Sequence, residues 1–311
     1  MPVISNQMPP VFNNPEHQAV FEQDGYIVIP NFLTSEEISE LTKVYQSMEH
    51  PNPIGFHRTY DNPDKAYKTR LSQAIHQTVT PKTTALLSGY RYFLASYMVK
   101  EPGSDTAFEL HQNWNFVDES KHQSVVLWIP LVDTNEQNGT MYVVKGSNRL
   151  MPTFRGGPYI PSVFENILSH IKQHYLTPIP LKAGDALILD DALLHYTSPN
   201  HSNHTRYAMA QVMIPKAATP VYYYLSEPSD TRLHVFEIDM DFYLFYNNRY
   251  PKGEYPQDMK HIGTIPYSHR PLNEIAFDRL YFEHNPQLIK RKPFQVLRQL
   301  KNNLLRLFKS E

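Results

Sequence analysis

Residues 182–214 read KAGDALILDDALLHYTSPNHSNHTRYAMAQVMI, and the short apolar runs in that stretch decide the fold class. Residues 186–189, 195–197 and 207–214 each have strand length and are bounded by turn formers. Ala183-Gly184-Asp185 supplies the tight turn from a preceding strand at 179–181. Working back toward the amino terminus, the same period of two predicts strands at 92–100, 107–117, 124–132 and 140–145, the last two separated by an Asn138-Gly139 turn signal. A helical insert is expected over 163–175. Strands that follow one another without alternating helices argue for an antiparallel barrel or jelly roll rather than a parallel sheet.

The flanks have a different pattern. Residues 16–24 suit a short helix and 26–29 a strand. Thr34 with Glu37 three residues later forms a capping box that opens a second helix reaching about Met48, with Ile38, Leu41 and Val44 or Tyr45 on its buried side. Residues 1–14, rich in Pro and Asn, read as a flexible arm, and 15–290 as one jelly-roll unit with flanking helices and an aromatic extension after 215. Tyr222-Tyr223-Tyr224 and Phe242-Tyr243-Leu244-Phe245-Tyr246 in that extension are expected to pack on the barrel. Residues 291–311 are expected to form a basic amphipathic helix, with Val296, Leu297, Leu300, Leu304 and Leu307 on one face. Such a helix docks by its apolar face, with peripheral membrane contact as the minority alternative.

Composition narrows the function classes. Across 311 residues, 29 Lys and Arg against 31 Asp and Glu leave a net charge of -2, so no global positive field exists to recruit nucleic acid. There is no cysteine, which excludes disulfides, thiolate metal ligands and cysteine nucleophiles together. Any bound metal must use His, carboxylate or amide. The amino terminus lacks the charged-then-apolar run of a secretory signal, and no stretch reaches the roughly 20 apolar residues of a membrane span. A cytoplasmic protein with a small-molecule substrate is expected. The 15 histidines mean that only spacing can single out a ligand.

That spacing exists. His111-Gln112-Asn113 falls on one expected strand, His195 lies on another, and Arg206 precedes a third. Residues i and i+2 of a strand share a face, so His111 and Asn113 can point inward together. Two donors from one strand and one from a later strand make a facial set with open positions for O2 and a bidentate 2-oxoacid, the pattern suited to Fe(II). A guanidinium on the adjoining strand is a fork for a distal carboxylate. Taken singly, each of these residues reads equally well as an ordinary polar side chain of a half-exposed barrel. His201 and His204 read as solvated turn residues.

Longer blocks add to the spacing. Phe21-Glu22-Gln23-Asp24-Gly25-Tyr26-Ile27-Val28-Ile29-Pro30, then Trp128-Ile129-Pro130-Leu131-Val132-Asp133 with Asn138-Gly139 and Gly146-Ser147-Asn148-Arg149, then Lys182-Ala183-Gly184-Asp185 through His195 to Arg206, occur in that order. In these blocks the chain resembles the phytanoyl-CoA dioxygenase family of Fe(II)/2-oxoglutarate oxygenases, over residues 18 to 215. The resemblance implies a mainly β, cupin-like double-stranded β-helix (jelly roll) that uses Fe(II), 2-oxoglutarate and O2 to hydroxylate a small organic molecule, with desaturation or cyclisation as other outcomes. It further implies that His111 and His195 bind iron, that Arg206 pairs with the cosubstrate and that Thr197 adds a hydroxyl. Lys100 and Trp128 are candidates for the cosubstrate and Gln112 for the substrate, by proximity to the matching strands.

The departure is Asn113, where the family pattern has Asp. An amide oxygen can coordinate a cation but brings no charge, so the metal should be held less tightly. Asp118 has the wrong strand parity to replace it, and Glu119 lies too far along the strand. Two other functions stay open: a catalytically impaired jelly-roll binding protein, and a cupin-like metal isomerase or hydrolase that needs no 2-oxoacid anchor.

Overall fold

A computed structural model of the protein describes residues 8–50, 55–103, 106–157, 159–249 and 254–286. The basic helix expected at 291–311 lies outside them. The chain opens with α1 (Pro15–Asp24), β1 (Tyr26–Ile29), α2 (Ser35–Gln46), β2 (Phe56–Arg58) and α3 (Lys65–Leu86). It continues through β3 (Tyr90–Lys100), β4 (Phe108–His111), β5 (Val125–Pro130), β6 (Met141–Val143), α4 (Leu168–His174), β7 (Thr177–Ile179), β8 (Ala186–Asp190), β9 (His195–Thr197) and β10 (Arg206–Pro215). The extension supplies β11 (Val221–Tyr224), β12 (Arg232–Glu237), α5 (Met240–Arg249), β13 (Lys260–Pro266) and α6 (Glu274–His284).

Two antiparallel sheets make the expected jelly roll, one ordered β1-β8-β5-β10-β3-β2 and the other β4-β9-β6-β7. The period of two sorts their side chains. From β5 and β10, Val125, Leu127, Ile129, Met209 and Met213 pack with Tyr67, Leu71, Ile75 and Val79 of α3 on the outer face of the larger sheet. Val126, Trp128, Ala208 and Val212 turn the other way and meet Met141 and Val143 of the smaller sheet. Both faces of β5 are therefore covered, and all its residues are buried, which is why it reads as an unbroken apolar run. Arg206 has the parity of Ala208 and Val212, so the strand that fills the core also carries a guanidinium into it.

Several local expectations hold. Thr34 and Glu37 form the reciprocal capping box at the start of α2, and Leu41 and Tyr45 are its buried residues. Other features differ. The strand expected over 107–117 stops at His111, because the next backbone groups bond elsewhere: Asn113 N–H donates to the Asp191 carbonyl and Asn113 C=O accepts from Arg155. Asn138-Gly139 is a turn, with Gly139 at φ 87, but β5 and β6 on either side of it lie in different sheets. Val11 and Phe12, expected in a loose arm, are buried, with Phe12 bridging to Leu87. α3 was not anticipated, although Asp64 caps its first turn. Its interior Pro81 and its Thr-rich end conceal the helical spacing of Tyr67, Leu71, Ile75 and Val79.

In the aromatic extension the expected packing on the barrel is seen for Tyr222, Tyr224, Phe242 and Tyr243, while the side chains of Phe245 and Tyr246 lie outside the described ones. β11, β12 and β13 form a separate antiparallel sheet, and Tyr222, Tyr224, Phe236, Phe242 and Tyr243 join the core between the main sheets. Among the described residues no helix is long and apolar enough to cross a membrane.

Candidate active site

His111 and His195 face each other across the β4–β9 ladder as registered partners, with ring centroids 4.2 Å apart. Each Nδ1 lies against a backbone carbonyl two residues earlier: Glu109 O at 2.6 Å for His111 and Leu193 O at 2.8 Å for His195. A carbonyl only accepts, so Nδ1 carries the proton in both rings and each Nε2 keeps its lone pair. Burial, and for His111 the neighbouring His195, holds His111 well below the usual histidine range. Burial likewise pulls His195 down to about 4. Both imidazoles are therefore neutral at physiological pH, the form that binds a metal.

Asn113 stands beyond the end of β4 yet reaches the same space. It lines a cavity of about 120 Å³ together with His111 and a second of about 40 Å³ together with His195, Thr197 and Arg206. Met98, Phe108, Val126 and Ala210 also line both, so the two spaces adjoin and Asn113 sits at their junction. Its amide nitrogen donates to Asp191 Oδ1 at 2.9 Å. Among the described residues no three His, Asp or Glu side chains gather as a metal site, and the side chain that adjoins both histidine cavities is the Asn113 amide.

Arg206 lines the smaller cavity. It is 1% exposed, and burial lowers its pKa to about 9. One terminal nitrogen donates to Met98 O at 2.9 Å, its guanidinium lies 5.4 Å from the Trp128 ring centroid, and Nε has no partner. No carboxylate among the described residues pairs with it. The Thr197 hydroxyl, lining the same cavity, is also buried without a partner. Buried polar groups without partners are costly, and a guanidinium beside a hydroxyl in an enclosed space is a fork shaped for a carboxylate. The donor set, two neutral imidazoles and an amide with an anion fork beyond, fits a divalent cation with a dicarboxylate.

The remaining expected residues divide. Trp128 lines the Arg206 cavity. Gln112 lines the larger one, but both ends of its amide are held, by Ala192 O and the Thr153 hydroxyl. Lys100 is fully buried beside Arg206, its register partner, but its Nζ donates to Thr197 O at 3.0 Å and Ser198 O at 2.5 Å and lines neither cavity. It fastens the end of β9 rather than the anion space. Asp118 bonds Ser120 and Lys121, and Glu119 pairs with Arg155, so neither replaces Asn113. His201 and His204 are exposed, as expected.

Burial, reinforced by Arg206, lowers Lys100 to about 6. Between that value and the ordinary lysine range the unfolded chain binds a proton that the folded chain does not, so stability rises with pH across that window. Lys100→Met should flatten urea-unfolding stability between pH 6.5 and 8.5 by up to about 1.4 kcal/mol per pH unit relative to the parent. Equal slopes for the two proteins would contradict a neutral Lys100.

Sequence reasoning missed Arg155, which is 9% exposed and clamps the loop after β4 from its own loop: it bonds Asn113 O and Glu119, while its N–H donates to Asn115 Oδ1. It also missed Arg58 and Tyr60 at the larger cavity, and Tyr243 of α5, which packs on Trp114 at 5.4 Å and Phe116 at 5.5 Å. None has a local signal, because each reaches the site from an element distant in sequence.

The chain is similar to known proteins. The family profile described as Phytanoyl-CoA dioxygenase (PhyH) matches residues 21–208, a span that takes in His111, Asn113, His195, Thr197 and Arg206. The "Phytanoyl-CoA dioxygenase" of Arabidopsis thaliana is 24% identical over 245 residues, covering 62% of this chain and 86% of that protein. The "Phytanoyl-CoA dioxygenase domain-containing protein 1 homolog" of Dictyostelium discoideum is 22% identical over 252 residues, covering 62% and 88%. Among solved structures, the non-heme alpha ketoglutarate dependent carbocyclase SnoK from nogalamycin biosynthesis superposes with a TM-score of 0.52 at 15% identity, over 68% of this chain and 89% of that one. At that identity the likeness is one of fold.

Proposed function

The chain belongs to the phytanoyl-CoA dioxygenase family, and on that premise we propose that it is an Fe(II)/2-oxoglutarate-dependent oxygenase that hydroxylates a small, largely apolar organic molecule. The observation that carries the reading is Arg206, a buried guanidinium whose cavity is shared with Thr197, His195 and Asn113. His111 Nε2, His195 Nε2 and the Asn113 amide oxygen would hold the iron, and Arg206 with the Thr197 hydroxyl the distal carboxylate of 2-oxoglutarate. When bound, the metal and cosubstrate supply oxidation of a substrate C–H by O2, with succinate and CO2 released.

The chain's own contribution is positioning and exclusion of water. Lys100, largely neutral, anchors the carbonyls of Thr197 and Ser198 at the end of β9 and leaves Arg206 as the full positive charge facing the anion. Leu94, Met98, Trp114, Phe116 and Val212 wall the larger cavity, so a substrate there is held by apolar contact close to Asn113 and His111. Gln112, fixed at both ends, would serve as a rigid wall of that space. Desaturation or cyclisation would differ only in the fate of the same substrate carbon.

Anaerobic addition of Fe(II) and 2-oxoglutarate should produce the weak visible charge-transfer band of a chelated 2-oxoacid, and admission of O2 should then yield succinate. No band from the folded protein would overturn the reading. A band without succinate would identify a binding protein that keeps the pocket and has lost turnover. Metal-dependent activity that survives Arg206→Ala would point to an isomerase or hydrolase instead.

A further inference from the structure

We infer that Asp191 is the positioning residue of the metal site, holding the Asn113 amide so that its oxygen faces the cation and supplying the negative charge that Asn113 lacks. The inference rests on the proposed metal reading and deepens it. Asp191 follows β8, and it grips Asn113 twice: its carbonyl accepts from Asn113 N–H at 2.9 Å, and its Oδ1 accepts from Asn113 Nδ2 at 2.9 Å. The next pair is tied as well, with Gln112 Nε2 donating to Ala192 O at 2.6 Å. Because a carboxylate accepts and an amide nitrogen donates, this contact fixes which way the amide lies. The arm turned away from Asp191 is the carbonyl oxygen, and the residue lines both cavities.

The charge argument is independent of the orientation. Asp191 is fully buried, which pushes its carboxyl up to about 7, and no Lys, Arg or His among the described residues pairs with it; apart from the Ser124 hydroxyl beside it, the Asn113 amide is its side-chain partner. Adjacent Asp190, by contrast, receives Gln123, Asn148 and the Ala192 N–H. A buried carboxylate without a counter-charge is unfavourable, and a cation held by the neighbouring amide is the counter-charge this one lacks. An N–H donated to a carboxylate also polarises the amide, leaving its oxygen a better donor. With Asp at position 113, two carboxylates would stand within hydrogen-bonding distance, a like-charge contact. Asn113 and Asp191 are thus a matched pair, with the carboxylate moved one bond outward from the metal.

Anaerobic titration of the metal-free full-length protein with cobalt(II) chloride, followed by calorimetry and by the visible cobalt spectrum, tests this. Asp191→Asn keeps an acceptor for Asn113 and removes the charge; Asp191→Ala removes both. Each should weaken cobalt binding by ~10- to 100-fold, the range for outer-sphere partners, with the spectrum altered more in Asp191→Ala. Asn113→Asp alone should not tighten binding, whereas Asn113→Asp with Asp191→Asn should bind at least as tightly as the parent. Parent-like affinity and spectrum in both Asp191 variants would overturn the inference, as would Asn113→Asp alone binding as tightly as the double variant. If Asp191→Ala does not fold by circular dichroism, Asp191→Asn and the double variant decide. A parent protein that binds no cobalt would overturn the metal reading and this inference with it; binding that ignores Asp191 overturns this inference alone.

Discussion

Arg206→Met should raise the 2-oxoglutarate concentration needed for half-maximal turnover by ~30- to several-thousand-fold, because truncating one partner of a buried, hydrogen-bonded charge pair costs roughly 2–5 kcal/mol. The same substitution should leave the ligand-free protein at least as stable as the parent. In the parent, the guanidinium is 1% exposed with its pKa lowered to about 9 by burial alone, so the fold carries an unpaired charge that methionine would remove. Opposite signs for cosubstrate affinity and intrinsic stability distinguish a ligand-binding arginine from a structural one. Thermal melting with and without 2-oxoglutarate reads both: the parent should melt higher with the ligand, and the variant should melt at one temperature regardless. A variant that loses stability while keeping its 2-oxoglutarate dependence would show that Arg206 serves the core.

His195→Ala should abolish turnover and weaken cobalt(II) or Fe(II) binding by more than ~100-fold, beyond the range seen for outer-sphere partners. His111→Ala should do the same, since with only two imidazoles and one amide available neither ring has a substitute. The loss should not be repaired by raising the pH. His195 is already neutral down to about pH 4, so a proton does not compete for Nε2 under ordinary assay conditions. Imidazole added to His195→Ala is a useful control, because recovery of the cobalt spectrum would place the missing donor at the emptied position. Unchanged metal affinity in either variant would remove that histidine from the site.

Much of the site is legible in the chain because strand parity is a local property. The alternation through Ala208, Met209, Val212 and Met213 assigns each side chain to one face, and Arg206 inherits the inner one from its place in the series. The period of two in residues 186–189 and 207–214 likewise identifies the antiparallel architecture. The capping box at Thr34 and Glu37 is local chemistry of the same kind. Where tertiary partners intervene, parity stops informing: β4 ends at His111, and Asn113 reaches the cavities because Asp191 and Arg155 take its backbone groups.

The sequence by itself therefore determined the class of fold, the two histidines, the arginine and the anomaly at position 113, since each depends on residue type and short-range spacing. Only the tertiary structure decided what the anomaly means. A neutral amide at 113 reads as a lost charge until folding brings Asp191, far along the chain, to within 2.9 Å of it. It decided equally that Lys100 serves the Thr197 and Ser198 carbonyls and that Glu119 serves Arg155. Contacts between distant segments are set by how sheets stack and loops close over them, and no local period records that.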